Sequence, residues 1–89
     1  MKLEITDNLI KELEKRFKRH VAPCDIAEIQ GIKIDFIEGI WYTLELCWGH
    51  ADCWRNYDLL FDEKNVSLDF IEGMFSQLVV DKEVEKSDY

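Results

Sequence analysis

The chain has one proline, four glycines and three cysteines in 89 residues, and only 11 lysines and arginines against 19 aspartates and glutamates. Each shortage excludes something. With so little proline and glycine there is no linker and no low-complexity segment, so a single small domain is expected over residues 1–80. The polar end, 81–89, is expected to be a flexible acidic tail. An odd cysteine count and a charged rather than apolar N-terminal stretch argue against a secreted disulfide framework. They point to reduced thiols in the cytoplasm. No window approaches the roughly 18 apolar residues of a membrane span. There is no phosphate-binding glycine loop, no EF-hand spacing and no C-x2-C knuckle.

The shortage of cations matters most. The net charge is −8, and residues 25–89 hold 15 acids against five cations. A body this acidic repels phosphate backbones, so direct nucleic-acid binding is not expected. Only the stretch from 11 to 20 is basic, with Lys11, Lys15, Arg16, Lys18 and Arg19 against Glu12 and Glu14.

What the chain does have is apolar and aromatic material, 47% and 12% of its residues, and one phrase written twice. "IDFIEGIW" (34–41) returns 34 residues later as "LDFIEGMF" (68–75). Asp35 and Asp69 suit a helix start, with Ser67 as an alternative cap, and Glu38 and Glu72 follow at capping-box spacing. Phe36, Ile37, Ile40, Trp41, Leu44, Cys47 and Trp48 then share one helical face. Phe70, Ile71, Met74, Phe75 and Leu78 take the matching places in the second copy. Gly39 and Gly73, interior to these helices, suggest close approach by another backbone. The offset equals the tetratricopeptide period, but the aromatic and small positions of that repeat are absent. The phrase therefore reads as an internal duplication of a helix start.

A first helix, capped by Thr6 or Asp7 and stopped by Pro23, carries Leu9, Ile10, Leu13, Phe17 and His20 on one face. Asp25 can cap a short helix over 26–30, although Ile32 and Ile34 alternate as in a brief extended stretch. Asp52 can cap a further helix carrying Trp54, Tyr57, Leu60 and Phe61, with a short strand at 57–61 as the alternative. The expected fold is thus all-α or mostly α, a small bundle of three to five helices. Phe36, Ile40, Leu44, Phe70, Met74 and Leu78 are its expected core. Tyr42 and Leu46 fall off the main apolar arc and suggest an exposed sticky face, through which a homodimer could form.

The residues offer three site chemistries. Cys47, His50 and Cys53 stand at C-x2-H-x2-C, with Cys24 or His20 available as a further ligand. This is not a standard zinc spacing, and buried cysteine is ordinary core material, so no metal or other cofactor is expected. A cysteine nucleophile with His20 or His50 as base lacks an orienting group, so no enzyme activity is expected. The remaining feature is aromatic and acidic. Trp41, Trp48 and Trp54 crowd into 14 residues together with Tyr42 and Tyr57. Tryptophan and tyrosine dominate interface hot spots, and acidic charge speeds encounter with a basic surface. The expected partner-binding residues are Tyr42, Glu45, Asp52, Trp54, Tyr57, Asp58, Asp62 and Glu63.

The expected function is therefore that of a small acidic protein-binding module. It would mask a basic, nucleic-acid-handling surface on a partner such as a nuclease, in the manner of immunity proteins, antitoxins or phage-encoded anti-defence inhibitors. The alternatives are a zinc-stabilised adaptor or a homodimeric helical accessory subunit.

Overall fold

From residue 26 onward the chain carries side chains that suit a strand as well as a helix, and strand pairing decides between them. In a computed structural model of the protein the described residues are 4–36, 40–51, 53–62, 64 and 66–87. The side chains of residues 36 and 82–87 lie outside that description. The elements run α1 (Asp7–Lys18), β1 (Ile26–Phe36), β2 (Ile40–His50), β3 (Cys53–Asp62) and α2 (Leu68–Ser87). The three strands form one antiparallel sheet in the order β1-β2-β3. The fold is α+β, and the expected all-α bundle is overturned.

The physical reason lies in β2. Residues 40–48 are apolar at nearly every position, so a period of 3.6 and a period of 2 both fit. Alternation prevails: Tyr42, Leu44, Leu46 and Trp48 are all buried on one side of the central strand. Tyrosine, tryptophan and threonine suit a pleated surface. The expected helix over 26–30 and the helix from Asp52 are likewise replaced by β1 and β3.

β1 shows how register was written. Ala27 and Ile29 pair with Trp48 and Leu46, and Ile32 and Ile34 pair with Leu44 and Tyr42. Between them Gln30 is left over as a bulge, Ile29 and Gly31 being paired to successive residues of β2. A bulge adds one residue to one strand only, so the inward set changes from odd to even numbers across Gln30. The backbone N–H of Ile29 beside it donates to Glu14 Oε2 of α1 at 3.1 Å, which ties this edge strand to the helix.

Both helices cover the side of the sheet that carries Tyr42, Leu44, Leu46 and Trp48. Leu13 and Phe17 of α1 join Ile71, Phe75 and Val79 of α2 and the inward residues of the sheet in one core. Phe17 stacks on Phe75 with centroids 4.5 Å apart, and Phe75 meets Trp48 edge-on at 5.2 Å. Burying each of these phenylalanines contributes roughly 1.5–3 kcal/mol.

Of the three expected helix starts, those near Asp7 and Asp69 are found. Thr6 Oγ1 accepts from Leu9 N–H, and Ser67 Oγ accepts from Phe70 N–H, so Ser67 rather than Asp69 caps α2. The apolar face of α2 is turned from the expected one. Ile71, Phe75 and Val79 point inward, Met74 and Leu78 are partly buried, and Phe70 is 42% exposed. Leu44 is core as expected, and Ile40 packs at its margin. Phe36 ends β1, and its side chain lies outside the described set.

The doubled phrase therefore has two structures. The second copy opens α2. The first ends β1 and begins β2, with residues 37–39 between the two strands outside the described residues. The expected first helix start at Asp35 is overturned, because the alternation of Ile32, Ile34 and Phe36 upstream extends into it. Gly73 marks no close approach: a Cβ built there meets nothing within 4 Å.

Candidate functional site

A sheet with both helices on one side leaves its other face without a covering helix among the described elements. Strand alternation and the register give that face five cross-strand rows. They are Ile26–Gly49–Trp54, Glu28–Cys47–Asn56, Gly31–Glu45–Asp58, Lys33–Thr43–Leu60 and Asp35–Trp41–Asp62. Five carboxylates stand among them against the single ammonium of Lys33. Apolar groups break the acidic field, with Trp54 43% and Leu60 53% exposed.

The electrostatics centre on the third and fourth rows. Glu45 and Asp58 are direct cross-strand partners, and like charges opposite one another destabilise a sheet. Lys33 Nζ reaches Glu45 Oε1 at 2.7 Å. That hydrogen bond, with Glu45, Asp58 and Asp35 charges around it, raises the Lys33 pKa. Gly31 makes room for the carboxylate: a Cβ there would sit 2.5 Å from Glu45 Oε2. Beside the bulge lies a concavity of about 390 Å³ lined by Gln30, Glu45, Asn56 and Asp58 together with Leu46 and Tyr57, whose side chains belong to the covered side of the sheet. Cys47 lies on the same face but is buried between its neighbours. Burial pushes its thiol pKa up, and Glu28 adds to the shift.

Of the expected partner-binding residues, Glu45, Trp54, Asp58 and Asp62 stand together on this face. Asp62 also accepts the Lys64 backbone N–H. Tyr42 and Tyr57 do not join them. Tyr42 is 3% exposed and stacks on Phe61, and Tyr57 stacks on Trp48. Leu46 is buried as well, so the Tyr42–Leu46 surface expected for a homodimer is part of the core. Asp52 and Glu63 lie outside the described residues. Sequence reading missed Glu28, Lys33, Asp35, Trp41 and Leu60. The alternation of Ile32 and Ile34 with Lys33 and Asp35 was the available signal.

Of the basic stretch of α1, Arg16 is drawn into the fold, while Lys11, Lys15, Lys18 and Arg19 are exposed. Arg16 reaches Glu12 of its own helix, and Asp69 and Glu72 of α2, at 3.2, 2.7 and 3.4 Å. His20 Nε2 meets Glu72 Oε2 at 2.7 Å. The His20 hydrogen bond, aided by the charges of His20, Arg16 and Arg19 and opposed by burial, holds the Glu72 carboxyl below its ordinary value. His20 is thus a seam residue between the helices.

The expected metal quartet is not gathered. Cys47 is mid-strand and Cys53 is exposed at the start of β3. Cys24 and His50 do meet, with Asp25 between them. Their ligand atoms, one from each residue, lie within 4.8 Å of one another.

No described helix is long and apolar enough to cross a membrane. No protein-family model, no curated protein and no solved structure matches the chain.

Proposed function

We propose that the protein is a stoichiometric inhibitor that lays the uncovered acidic face of its sheet on a basic, nucleic-acid-handling surface of another protein. The observation that carries this reading is the apposition of Glu45 and Asp58 on that face, flanked by exposed Trp54 and Leu60. Apposed like charges cost stability in the free protein and gain from a cationic partner. The carboxylates stand in for phosphates: Glu45 and Asp58 lie directly opposite one another across the sheet, and Asp62 stands on the same strand as Asp58, about 13 Å further along. Trp54, Trp41 and Leu60 supply the apolar anchors that slow dissociation. The same charge disfavours pairing of this face with its own copy, so a homodimer through it is the weaker reading.

The test is capture on immobilised protein from its native host, in parallel with a Glu45→Lys/Asp58→Lys variant. A partner held by the wild type and lost by the variant is then mixed with its nucleic acid. One equivalent of the inhibitor should abolish nucleic-acid binding by that partner, and association should slow as salt rises. Undiminished nucleic-acid binding in a ternary complex, or equal capture by the variant, refutes the reading.

A further inference from the structure

We infer that Cys24, Asp25 and His50 form a binding site for a thiophilic divalent transition metal, zinc in the first instance. The register brings them together. Ile26 is the cross-strand partner of Gly49, so the residues just beyond that pair, Asp25 and His50, face each other where β1 begins and β2 ends. Two donors converge on one carboxylate oxygen: His50 Nδ1 lies 2.8 Å from Asp25 Oδ1, and Cys24 Sγ lies 3.7 Å from it. On a tetrahedral zinc with ordinary bond lengths, nitrogen and oxygen ligands stand about 3.3 Å apart and sulfur and oxygen about 3.5 Å. The observed separations from Asp25 straddle those values, and the three ligand atoms lie within 4.8 Å of one another against about 3.6 Å for sulfur and nitrogen on zinc, so the cation draws the Cys24 and His50 side chains together by up to about 1 Å.

The loop is held for this. Asp25 N–H donates to Ala22 O at 2.9 Å, and the Asp25 carboxylate is only 13% exposed, while His50 and Cys24 are open to solvent. Zinc takes the place of the protons between these groups: the Cys24 thiol proton goes to solvent, and a proton on His50 Nδ1 is lost to solvent or exchanged through it, so that the imidazole bound through Nδ1 carries its single proton on Nε2. A thiolate, an imidazole and a carboxylate together select zinc or cobalt over magnesium or calcium. The fourth position faces solvent and takes water. Cys47 and Cys53 are outside the ligand set. This inference is independent of the acidic docking face.

Tag-free, reduced and chelator-treated protein titrated with cobalt(II) should saturate at one equivalent. It should show the visible bands of a tetrahedral site and a thiolate charge-transfer band, both erased by zinc. Cys24→Ser should lose the charge-transfer band, and His50→Ala should weaken binding at least tenfold. Cys47→Ser and Cys53→Ser should keep both features. All three ligands are at the surface end of the sheet, and circular dichroism reports whether each variant is folded. Zinc should raise the melting temperature of the wild type and not of Cys24→Ser. Absence of tetrahedral bands at saturating cobalt overturns the site. So does a charge-transfer band that survives in Cys24→Ser or vanishes in Cys53→Ser.

Discussion

Asp58 is the residue at which stability and binding should part company. It is exposed, it faces Glu45 across the sheet, and aspartate is disfavoured in strands. Asp58→Thr removes the repulsion and should stabilise the free protein by about 0.2–1 kcal/mol, read from its urea midpoint, while weakening the partner complex. A substitution that only disturbed the fold would move both in the same direction. Glu72 behaves oppositely. Its folded pKa is lowered from 4.5 by its hydrogen bond to His20, so its contribution is present above that value and fades as pH falls through it. Glu72→Gln should therefore destabilise the protein at pH 7, and the difference from wild type should shrink at pH 3, measured by urea denaturation at both.

At the scale of the element, the two helices were legible, while of the strands only a brief extended stretch at Ile32–Ile34 and a short strand at 57–61 were readable, as alternatives to helix, and β2 was not. Thr6 and Ser67 declare their helices because capping is local, and Leu13 and Phe17 lie where the helical period puts them. Residues 40–48 carry no such local mark. Their period became definite only when Tyr42, Leu44, Leu46 and Trp48 gained neighbours from β1 and β3, which are distant choices. The same dependence explains the doubled phrase: Asp35 and Phe36 lie in a strand, and Asp69 and Phe70, in the same order, lie in a helix. Gly73 is a residue of the phrase rather than of the helix that now holds it. It is exposed, with open space around its Cα, so Gly73→Ala should raise thermal stability by up to about 1 kcal/mol. An unchanged or lower melting temperature would show that the glycine has a role in α2.

At the scale of the whole molecule, the candidate site is a property of the fold's two-sidedness. Five of the acids came to lie on one face, because most inward positions of the strands took apolar residues and left Glu28, Asp35, Glu45, Asp58 and Asp62 outside. Tyr42 and Tyr57 went the other way: Tyr42 is buried beside Phe61, and Tyr57, partly buried, stacks on Trp48, a choice their composition did not reveal. The Asp25–His50 meeting was also unreadable, since it needs the β1–β2 register. A net charge of −8 works against compaction, so moderate salt should raise the melting temperature of the free protein. The same salt should weaken its complex. Melting and binding measured across one salt series should slope in opposite directions.

The leftover residue in β1 makes that strand a text in two reading frames spliced at Gln30. Before the splice odd residues are spelled inward, and after it even ones. Deleting Gln30 would merge the two frames into one. Ile29, Gly31 and Ile32 already face Leu46, Glu45 and Leu44, so without the extra letter the strand alternates regularly and Ile32 and Ile34 are still spelled inward. The frameshift is an insertion: one residue added between Gly31 and Ile32, with Gly31 kept in register, would spell Ile32 and Ile34 outward and Lys33 into the core. A chain lacking Gln30 should therefore keep its cooperative unfolding transition, whereas the insertion should abolish it, both read by thermal melting.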